Sequence, residues 1–102
     1  MIIREWRGRA AATKPDAYPA HFNDNVLPEL RGIAGFLGAT LMKHSLPGRI
    51  EFVVLTRWQS MDAIRAFAGA EVVKAVVEPE AVAALVEFDQ TVRHYEVLSN
   101  AV

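Results

Sequence analysis

The chain of 102 residues contains no cysteine. This excludes a disulfide framework, a thiol nucleophile, an iron–sulfur cluster and any cysteine-based zinc site. No apolar run approaches the ~20 residues that a membrane-spanning helix requires, and no charged segment followed by an apolar one opens the chain. The 11 basic and 12 acidic residues nearly balance, and the basic ones are scattered, which argues against a nucleic-acid surface. We therefore expect a cytoplasmic protein with neither a membrane nor a nucleic-acid partner.

Apolar side chains, in contrast, are abundant. They make up 52% of the residues, which is enough to build one hydrophobic core without a disulfide or a structural metal. A chain of this length has no room for a second core. The sequence therefore predicts a single domain over residues 1–102.

Four segments have the β-branched and aromatic composition of strands, namely residues 2–9, 36–44, 50–58 and 91–98. A short turn at residues 46–49 separates the second segment from the third. Two strands joined by so short a turn form an antiparallel hairpin.

The segment between the first two strands has the apolar periodicity of a helix. Apolar residues recur every three or four positions from Tyr18 to Ile33, which is the spacing of one helical face. Asp16 is the expected N-cap. Pro28 interrupts the pattern, so we expect the helix to kink or end just before it.

Helical signals return after the third strand. Ser60 is a good N-cap for a helix over residues 61–67, and Gly69 is placed to end it. A short helix is also expected over residues 71–77, and a further one, opened by a proline, over residues 80–87.

The resulting order of strand, helix, strand, strand, helical region and strand predicts an α+β protein. It is the βαββαβ pattern of the ferredoxin-like fold, with a four-stranded antiparallel sheet and helices on one face. Most positions on both faces of the third strand are apolar, so we expect a second copy of the chain to cover the free face in a homodimer. The alternative is an ordinary mixed surface, which is favoured by the charged strand residues Arg4, Glu5, Arg7, Lys43, Glu51 and Arg93.

Several motifs resemble those of the antibiotic biosynthesis monooxygenase-like family. They are Leu-Thr-Arg-Trp-Gln-Ser-Met-Asp-Ala-Ile-Arg-Ala-Phe at residues 55–67, the opening Ile-x-Arg-x-Trp-Arg-Gly, Leu-Pro-x-Leu and Gly-Phe-Leu-Gly within residues 27–38, and the closing His-Tyr-Glu-Val. The resemblance runs along nearly the whole chain. It implies a dimeric α+β barrel with a pocket between sheet and helices in each subunit. Family members include cofactor-independent oxygenases of quinols or polycyclic phenols, heme-degrading enzymes and proteins with no known activity.

Three positions argue against heme degradation. The heme-degrading members carry an asparagine, a tryptophan and an axial histidine at places that Trp6, Phe67 and Val77 hold in this chain. A valine cannot ligate iron, and a tryptophan cannot replace the hydrogen bond of the asparagine amide. Heme degradation would require His21 or His94 to take over the ligation.

A cofactor-independent oxygenase needs a base and polar groups that orient a phenol or hydroquinone in a water-excluding pocket. His21 and Asn25 are four residues apart, so they share one helical face and could act on a phenolic hydroxyl; the alternative is a boundary histidine bonded to water. His94 on the last strand could likewise be a base or an interface residue. These three residues are the candidate catalytic groups.

Five further residues are candidates for the pocket wall: Arg4, Trp6, Phe22, Trp58 and Phe67. For the two tryptophans, a place in the core is the stronger interpretation. Arg4 shares a strand face with Trp6, and a charge on a half-buried strand needs a partner. That partner is either an internal glutamate, such as Glu51 or Glu96, or an oxygen atom of a ligand.

The sequence indicates neither a cofactor nor a metal. It has no glycine-rich phosphate loop, and no two of its histidines have the spacing of metal ligands. Two functions remain open: oxygenation of a small aromatic or quinol-type substrate, and non-catalytic binding of a small hydrophobic or aromatic ligand by the same dimeric fold. The fold alone does not decide between them.

Overall fold

The computed structural model describes residues 1–102. Its elements in chain order are β1 (Ile2–Ala11), α1 (Ala17–His21), a π-helical turn (Phe22–Val26), α2 (Leu27–Arg31), β2 (Phe36–Leu46), β3 (Arg49–Trp58), α3 (Met61–Ala68), α4 (Pro79–Ala84), β4 (Glu87–Phe88) and β5 (Arg93–Glu96). The strands form one antiparallel sheet in the order β2-β3-β1-β4, and β5 also pairs with β1. This confirms the predicted ferredoxin-like α+β class. The closing strand is divided into two short strands on the same edge of β1.

The predicted hairpin is present and slightly longer than expected. Strands β2 and β3 pair from Phe36 opposite Trp58 to Leu46 opposite Arg49, so the connection shrinks to Pro47 and Gly48. Gly48 has a φ of 70°, a left-handed conformation that favours glycine over residues with a side chain. The hairpin register places alternate residues of β3 against the helices.

The first helical segment continues past Pro28 to Arg31 instead of ending before it. A π-helical turn joins α1 to α2, and within it the Leu27 N–H donates to the carbonyl oxygen of Phe22, five residues back. Pro28 therefore falls in the first turn of α2, the part of a helix that tolerates proline best. The irregularity expected near Pro28 takes the form of this wider turn.

The helix after β3 agrees with its local signals. Ser60 is the N-cap of α3, and its Oγ accepts a hydrogen bond from the Ala63 N–H at 3.2 Å. Gly69 follows the helix with a φ of 84° and a ψ of −172°, and its N–H donates to Arg65 O. A positive φ is easily adopted only by glycine, so this residue ends the helix as predicted.

The predicted helix over residues 71–77 is wrong. The segment instead lies beside residues 90–92: Lys74 forms a bridge with Thr91, the Ala75 N–H donates to Gln90 O at 2.9 Å, and the Val92 N–H donates to Val73 O at 2.8 Å. Bonding to a neighbouring segment satisfies the backbone that a helix would have satisfied internally.

The last helix is also shorter than predicted, since α4 ends at Ala84. The chain then turns to bond to β1. The Val86 N–H donates to Arg9 O at 2.8 Å, and the Asp89 N–H donates to Arg7 O at 3.0 Å. No helix of the protein is both long and apolar enough to cross a bilayer.

The two faces of the sheet differ sharply. The inner face packs against the helices around a core that includes Phe52, Trp58 and Ile64, each at most 1% exposed. The outer face has two halves. One, the apolar half, contains Ile3, Met42, Val53, Leu55 and Tyr95, with the charged residues Glu5, Arg57 and Arg93 among them. The other, the charged half, is formed by Arg7, Arg9, His44, Arg49, Glu51 and Glu87. The expectation of an apolar outer face therefore holds for only part of it.

Candidate active site

A cavity of about 70 Å³ lies between the inner face of the sheet and the helices. A buried water needs roughly 10–15 Å³ of such space, so the cavity can hold several waters or a small ligand. Of the candidate residues, Arg4, Trp6, His21, Phe22 and Phe67 line it. Asn25, Trp58 and His94 lie outside the lining.

Arg4 places a positive charge on the wall of this cavity. It projects from β1 towards the helices and is only 5% exposed. Its guanidinium donates to the carbonyl oxygens of Val72 at 2.6 Å and Lys74 at 2.9 Å, and it contacts Nε2 of His94 at 3.1 Å. Burial lowers the pKa of Arg4 to about 10, so the group stays charged at neutral pH. Neither Glu51 nor Glu96 is its partner; Glu51 belongs to the charged outer half of the sheet.

His94 acts on Arg4 and does not reach the cavity. It stands opposite Arg4 in the pairing of β5 with β1. Burial, followed by the charge of Arg4, lowers the pKa of His94. The imidazole is therefore neutral, and it accepts the Arg4 hydrogen bond through Nε2.

Aromatic side chains form much of the cavity wall. The rings of Trp6 and Tyr18 lie 5.6 Å apart, and the Trp6 indole N–H donates to Asp89 O at 2.9 Å. The Arg4 guanidinium lies 5.7 Å from the centre of the Phe67 ring, within the range of a cation–π contact. This part of the wall thus combines the electron-rich faces of aromatic rings with the positive charge of Arg4.

Trp58 is a core residue. It is fully buried at the end of β3, its indole N–H donates to Thr56 Oγ1 at 2.8 Å, and its ring stacks on that of Phe67 at 5.6 Å. It therefore supports the cavity wall from behind through Phe67 and makes no part of the surface.

His21 lies on the helical side of the cavity, where α1 meets the π-helical turn. It is 6% exposed, and its Nδ1 lies 3.0 Å from the side-chain nitrogen of Asn25. Its Nε2 is the buried side-chain nitrogen or oxygen atom that has no hydrogen-bond partner. The four-residue spacing thus brings the two side chains together and leaves Nε2 free for another group.

Two acidic residues of this site were not among the candidates predicted from the sequence. Glu29 of α2 and Glu78, which precedes α4, also line the cavity. Burial, then a hydrogen bond with Glu29 and the charge of Glu29, raise the pKa of Glu78. No local spacing joins these two glutamates, so only the tertiary fold reveals that they meet.

Tyr18 is a third lining residue that was seen only as part of a helical face. It is 4% exposed. Burial, with the nearby charge of Glu78, raises the pKa of its phenol. Tyr18 therefore stays a neutral hydroxyl that can donate a hydrogen bond, and it cannot act as a phenolate base at ordinary pH.

The model of the antibiotic biosynthesis monooxygenase family matches residues 1–79. The chain belongs to this family. No curated protein sequence matches it.

Solved structures of similar fold cover almost the entire chain. A candidate antibiotic biosynthesis monooxygenase from Bacillus cereus has a TM-score of 0.67 and 18% identity, with 99% of this chain and 96% of the other covered. One from Deinococcus radiodurans has a TM-score of 0.63, 17% identity and coverage of 100% and 96%. A monooxygenase from the gene ActVA-Orf6 of Streptomyces coelicolor, in complex with nanaomycin D, has a TM-score of 0.61, 18% identity and coverage of 99% and 89%. At these identities the likeness establishes the fold.

Proposed function

We propose that the protein is a cofactor-independent monooxygenase that acts on a small aromatic or quinol-type substrate in the cavity between sheet and helices. In such a reaction the substrate is its own reductant. Its anion gives electrons to O₂, one oxygen atom forms a new bond to carbon, and the other leaves as water together with the two hydrogens that the substrate loses. The protein binds and orients the substrate, stabilises its anion and excludes water.

The uncompensated charge of Arg4 is the observation that carries this proposal. A guanidinium has five N–H donors, and three of them meet Val72, Lys74 and His94, which leaves two (five minus three) without a protein partner. None of these partners is a carboxylate. A buried cation beside aromatic rings is suited to bind the oxygen of a phenolate, because the charge then gains the partner it lacks.

His21, Asn25 and His94 have separate roles in the proposed reaction. His21 lines the cavity, and its buried, unpartnered Nε2 accepts the proton of a substrate hydroxyl once a small side-chain movement brings the two into contact. It is a proton acceptor when Asn25 turns its amide oxygen towards Nδ1, since Nδ1 then carries the ring hydrogen. His94 is a positioning residue that holds Arg4. The Streptomyces relative, which is bound to nanaomycin D, supports a small-molecule ligand for this fold.

Oxygen uptake tests the proposal. The protein, supplied with a panel of hydroquinones and anthrones and with no flavin, should consume O₂ with at least one of them. Arg4→Met should lower the rate at least about tenfold through loss of charge stabilisation. Arg65→Met removes an exposed arginine that is paired with Asp62 and should leave the rate unchanged.

Two other outcomes would contradict the proposal. Saturable binding of a panel compound without O₂ uptake would identify a ligand-binding protein. Equal rates for Arg4→Met and wild type would show that the buried cation has no part in the chemistry.

We infer further that the functional unit is a homodimer that joins through the outer face of the sheet. Met42 and Tyr95 in its apolar half are 42% and 44% exposed, although both are large apolar side chains on a sheet. A second copy related by a twofold axis would cover this half and could pair the charged half with its counterpart. The cavity lies on the opposite face, so dimerisation leaves the lining intact.

Sedimentation measures the association directly. At micromolar concentration we expect twice the 11.3 kDa mass of the chain. Leu55→Lys places a charge in the apolar half and should shift the equilibrium to monomer. Val86→Lys alters an apolar residue that is 54% exposed outside this face and should not. A folded wild-type monomer would refute the dimer.

A further inference from the structure

One buried polar atom of the protein lacks a partner. It is Nε2 of His21. This residue is only 6% exposed and is therefore more than nine-tenths buried. Buried ring nitrogens in native proteins are nearly always bonded, so an unpartnered one indicates a water, an ion or a ligand group that completes the site. The other nitrogen, Nδ1, is already in contact with Asn25 at 3.0 Å, which fixes the direction of the ring.

Two carboxylates from another part of the chain lie close to the His21 ring. One ligand atom each of His21, Glu78 and Glu80 lies within 4.8 Å of the others. Glu78 immediately precedes α4, and Glu80 lies in its first turn, so the start of a single short helix delivers both. Glu29 of α2 lines the same cavity as Glu78 and adds a third acidic side chain to this region.

Bringing these acidic groups together is unfavourable unless something positive joins them. Neighbouring carboxylates repel one another and favour protonation of one member unless a cation lies between them. No lysine or arginine forms an ion pair with Glu29, Glu78 or Glu80, whereas Glu51 on the outer face pairs with two arginines. A cation is therefore the group that this arrangement lacks.

We propose that His21 Nε2, Glu78 and Glu80 form a binding site for a divalent transition-metal ion of the Zn²⁺ type. Imidazole with carboxylates suits zinc and its neighbours in the first transition series, whereas Mg²⁺ and Ca²⁺ take oxygen ligands. Ligand atoms at 2.0–2.1 Å from a tetrahedral ion are about 3.4 Å apart. Small side-chain rotations would therefore close the present separations.

Asn25 is suited to orient the metal-binding histidine. Coordination through Nε2 requires the ring hydrogen on Nδ1, and the Asn25 amide oxygen can accept it after a rotation of the amide. This is the usual role of the residue behind a metal-bound histidine. The inference does not rest on the proposed oxygenase, but the two share an atom. An ion at Nε2 and a substrate hydroxyl at Nε2 would exclude each other.

The sequence could not indicate this site. Its histidines lack ligand spacing, and the metal-binding set combines one residue of α1 with two at the start of α4. Only the packing of α1 against α4 brings them together. The single sequence signal, two glutamates that flank Pro79, is typical of an ordinary helix start.

Calorimetric titration of the chelator-treated full chain with ZnCl₂ tests the proposal. We expect saturable binding of one Zn²⁺ per chain, and a matching titration with CoCl₂ should give the visible absorption of a low-symmetry, four- or five-coordinate cobalt site. His21→Gln and Glu78→Gln should each weaken zinc binding at least about tenfold, as expected for the loss of a ligand.

Two further variants provide a ligand substitution at an exposed position and a control. Glu80→Gln changes an exposed side chain, so it retains the fold and should still weaken binding if His21→Gln or Glu78→Gln fails to fold. His44→Gln removes the exposed histidine that contacts Glu51 at 2.7 Å, the other His–Glu pair of the chain, and should leave the affinity unchanged. Absence of saturable binding to wild type, or equal affinities of wild type and Glu80→Gln, would overturn the proposal.

Discussion

Arg4 and His94 are joined by a hydrogen bond whose direction is fixed, at 3.1 Å between Nη1 and Nε2. A guanidinium offers only donors, so the imidazole must accept, and its hydrogen must lie on Nδ1. A proton on Nε2 would abolish the bond and set two positive charges in contact. The charge state of Arg4 thus fixes the tautomer of His94, and neutral His94 in turn holds Arg4 on the cavity wall.

The lowered pKa of His94 predicts a loss of stability in mild acid. The unfolded chain takes up a proton on this residue as the pH falls through about 6.5, the ordinary histidine value, whereas folded His94 remains neutral. The unfolded state therefore binds more protons over this interval, and the free energy of unfolding decreases as the pH falls. The decrease continues until the pH passes the folded pKa.

His94→Gln isolates this contribution. Glutamine offers Arg4 an acceptor oxygen but does not titrate. Urea unfolding from pH 7.5 down to pH 5 should show wild type losing stability relative to the variant. Parallel curves for the two proteins would contradict the assignment of the lowered pKa to His94.

Arg4 should also stabilise the segment that covers the cavity. Its bonds to the carbonyl oxygens of Val72 and Lys74 tie residues 70–78 to β1. Arg4→Met leaves those carbonyls without their charged donor and should lower the free energy of unfolding by about 1–3 kcal/mol. Arg4→Lys keeps the charge and part of the bonding, so its loss should be smaller. Chemical denaturation of the three proteins gives the comparison, and a Lys variant as unstable as the Met variant would contradict it.

Local signals predicted the elements that depend on local bonds. Ser60 and Gly69 bracket α3 as expected because capping and helix termination are decided within a few residues. Residues 71–77 do not form the expected helix because their backbone bonds lie outside the segment, with residues 90–92. A run of valines does not reveal whether its partner is local or distant.

The same distinction between local and distant contacts applies to the candidate site. The contact between His21 and Asn25 follows from their four-residue spacing, and the inward face of Arg4 follows from strand alternation. The meeting of His21 with Glu78, and of Arg4 with Val72, depends on how distant segments pack. The position of Trp58 could not be decided from the sequence, because an aromatic side chain on the inner face of a strand can either line a cavity or fill the core behind it.

The cap of α3 provides a stability test near the family motif. Ser60→Ala removes the bond from the Ala63 N–H to Ser60 Oγ and should cost about 1 kcal/mol. Ser99→Ala changes an exposed serine beyond β5 and should be neutral. Thermal unfolding of both variants measures the difference. Equal midpoints would show that the cap does not contribute.

Gly35 should be the least replaceable glycine outside the hairpin. Its φ is 90°, and an added Cβ would lie 2.6 Å from the Cβ of Ala63, so Gly35→Ala combines backbone strain with an overlap against α3. Gly48→Ala serves as the matched control, because Gly48 also has a positive φ, of 70°, but nothing lies within 4 Å of an added Cβ. Strain alone should cost Gly48→Ala about 1–2 kcal/mol, and the overlap should add about 1–3 kcal/mol in Gly35→Ala. Urea unfolding should rank wild type above Gly48→Ala and Gly48→Ala above Gly35→Ala. The reverse order of the two variants would show that Gly35, just before β2, is not packed as closely against Ala63 of α3 as described.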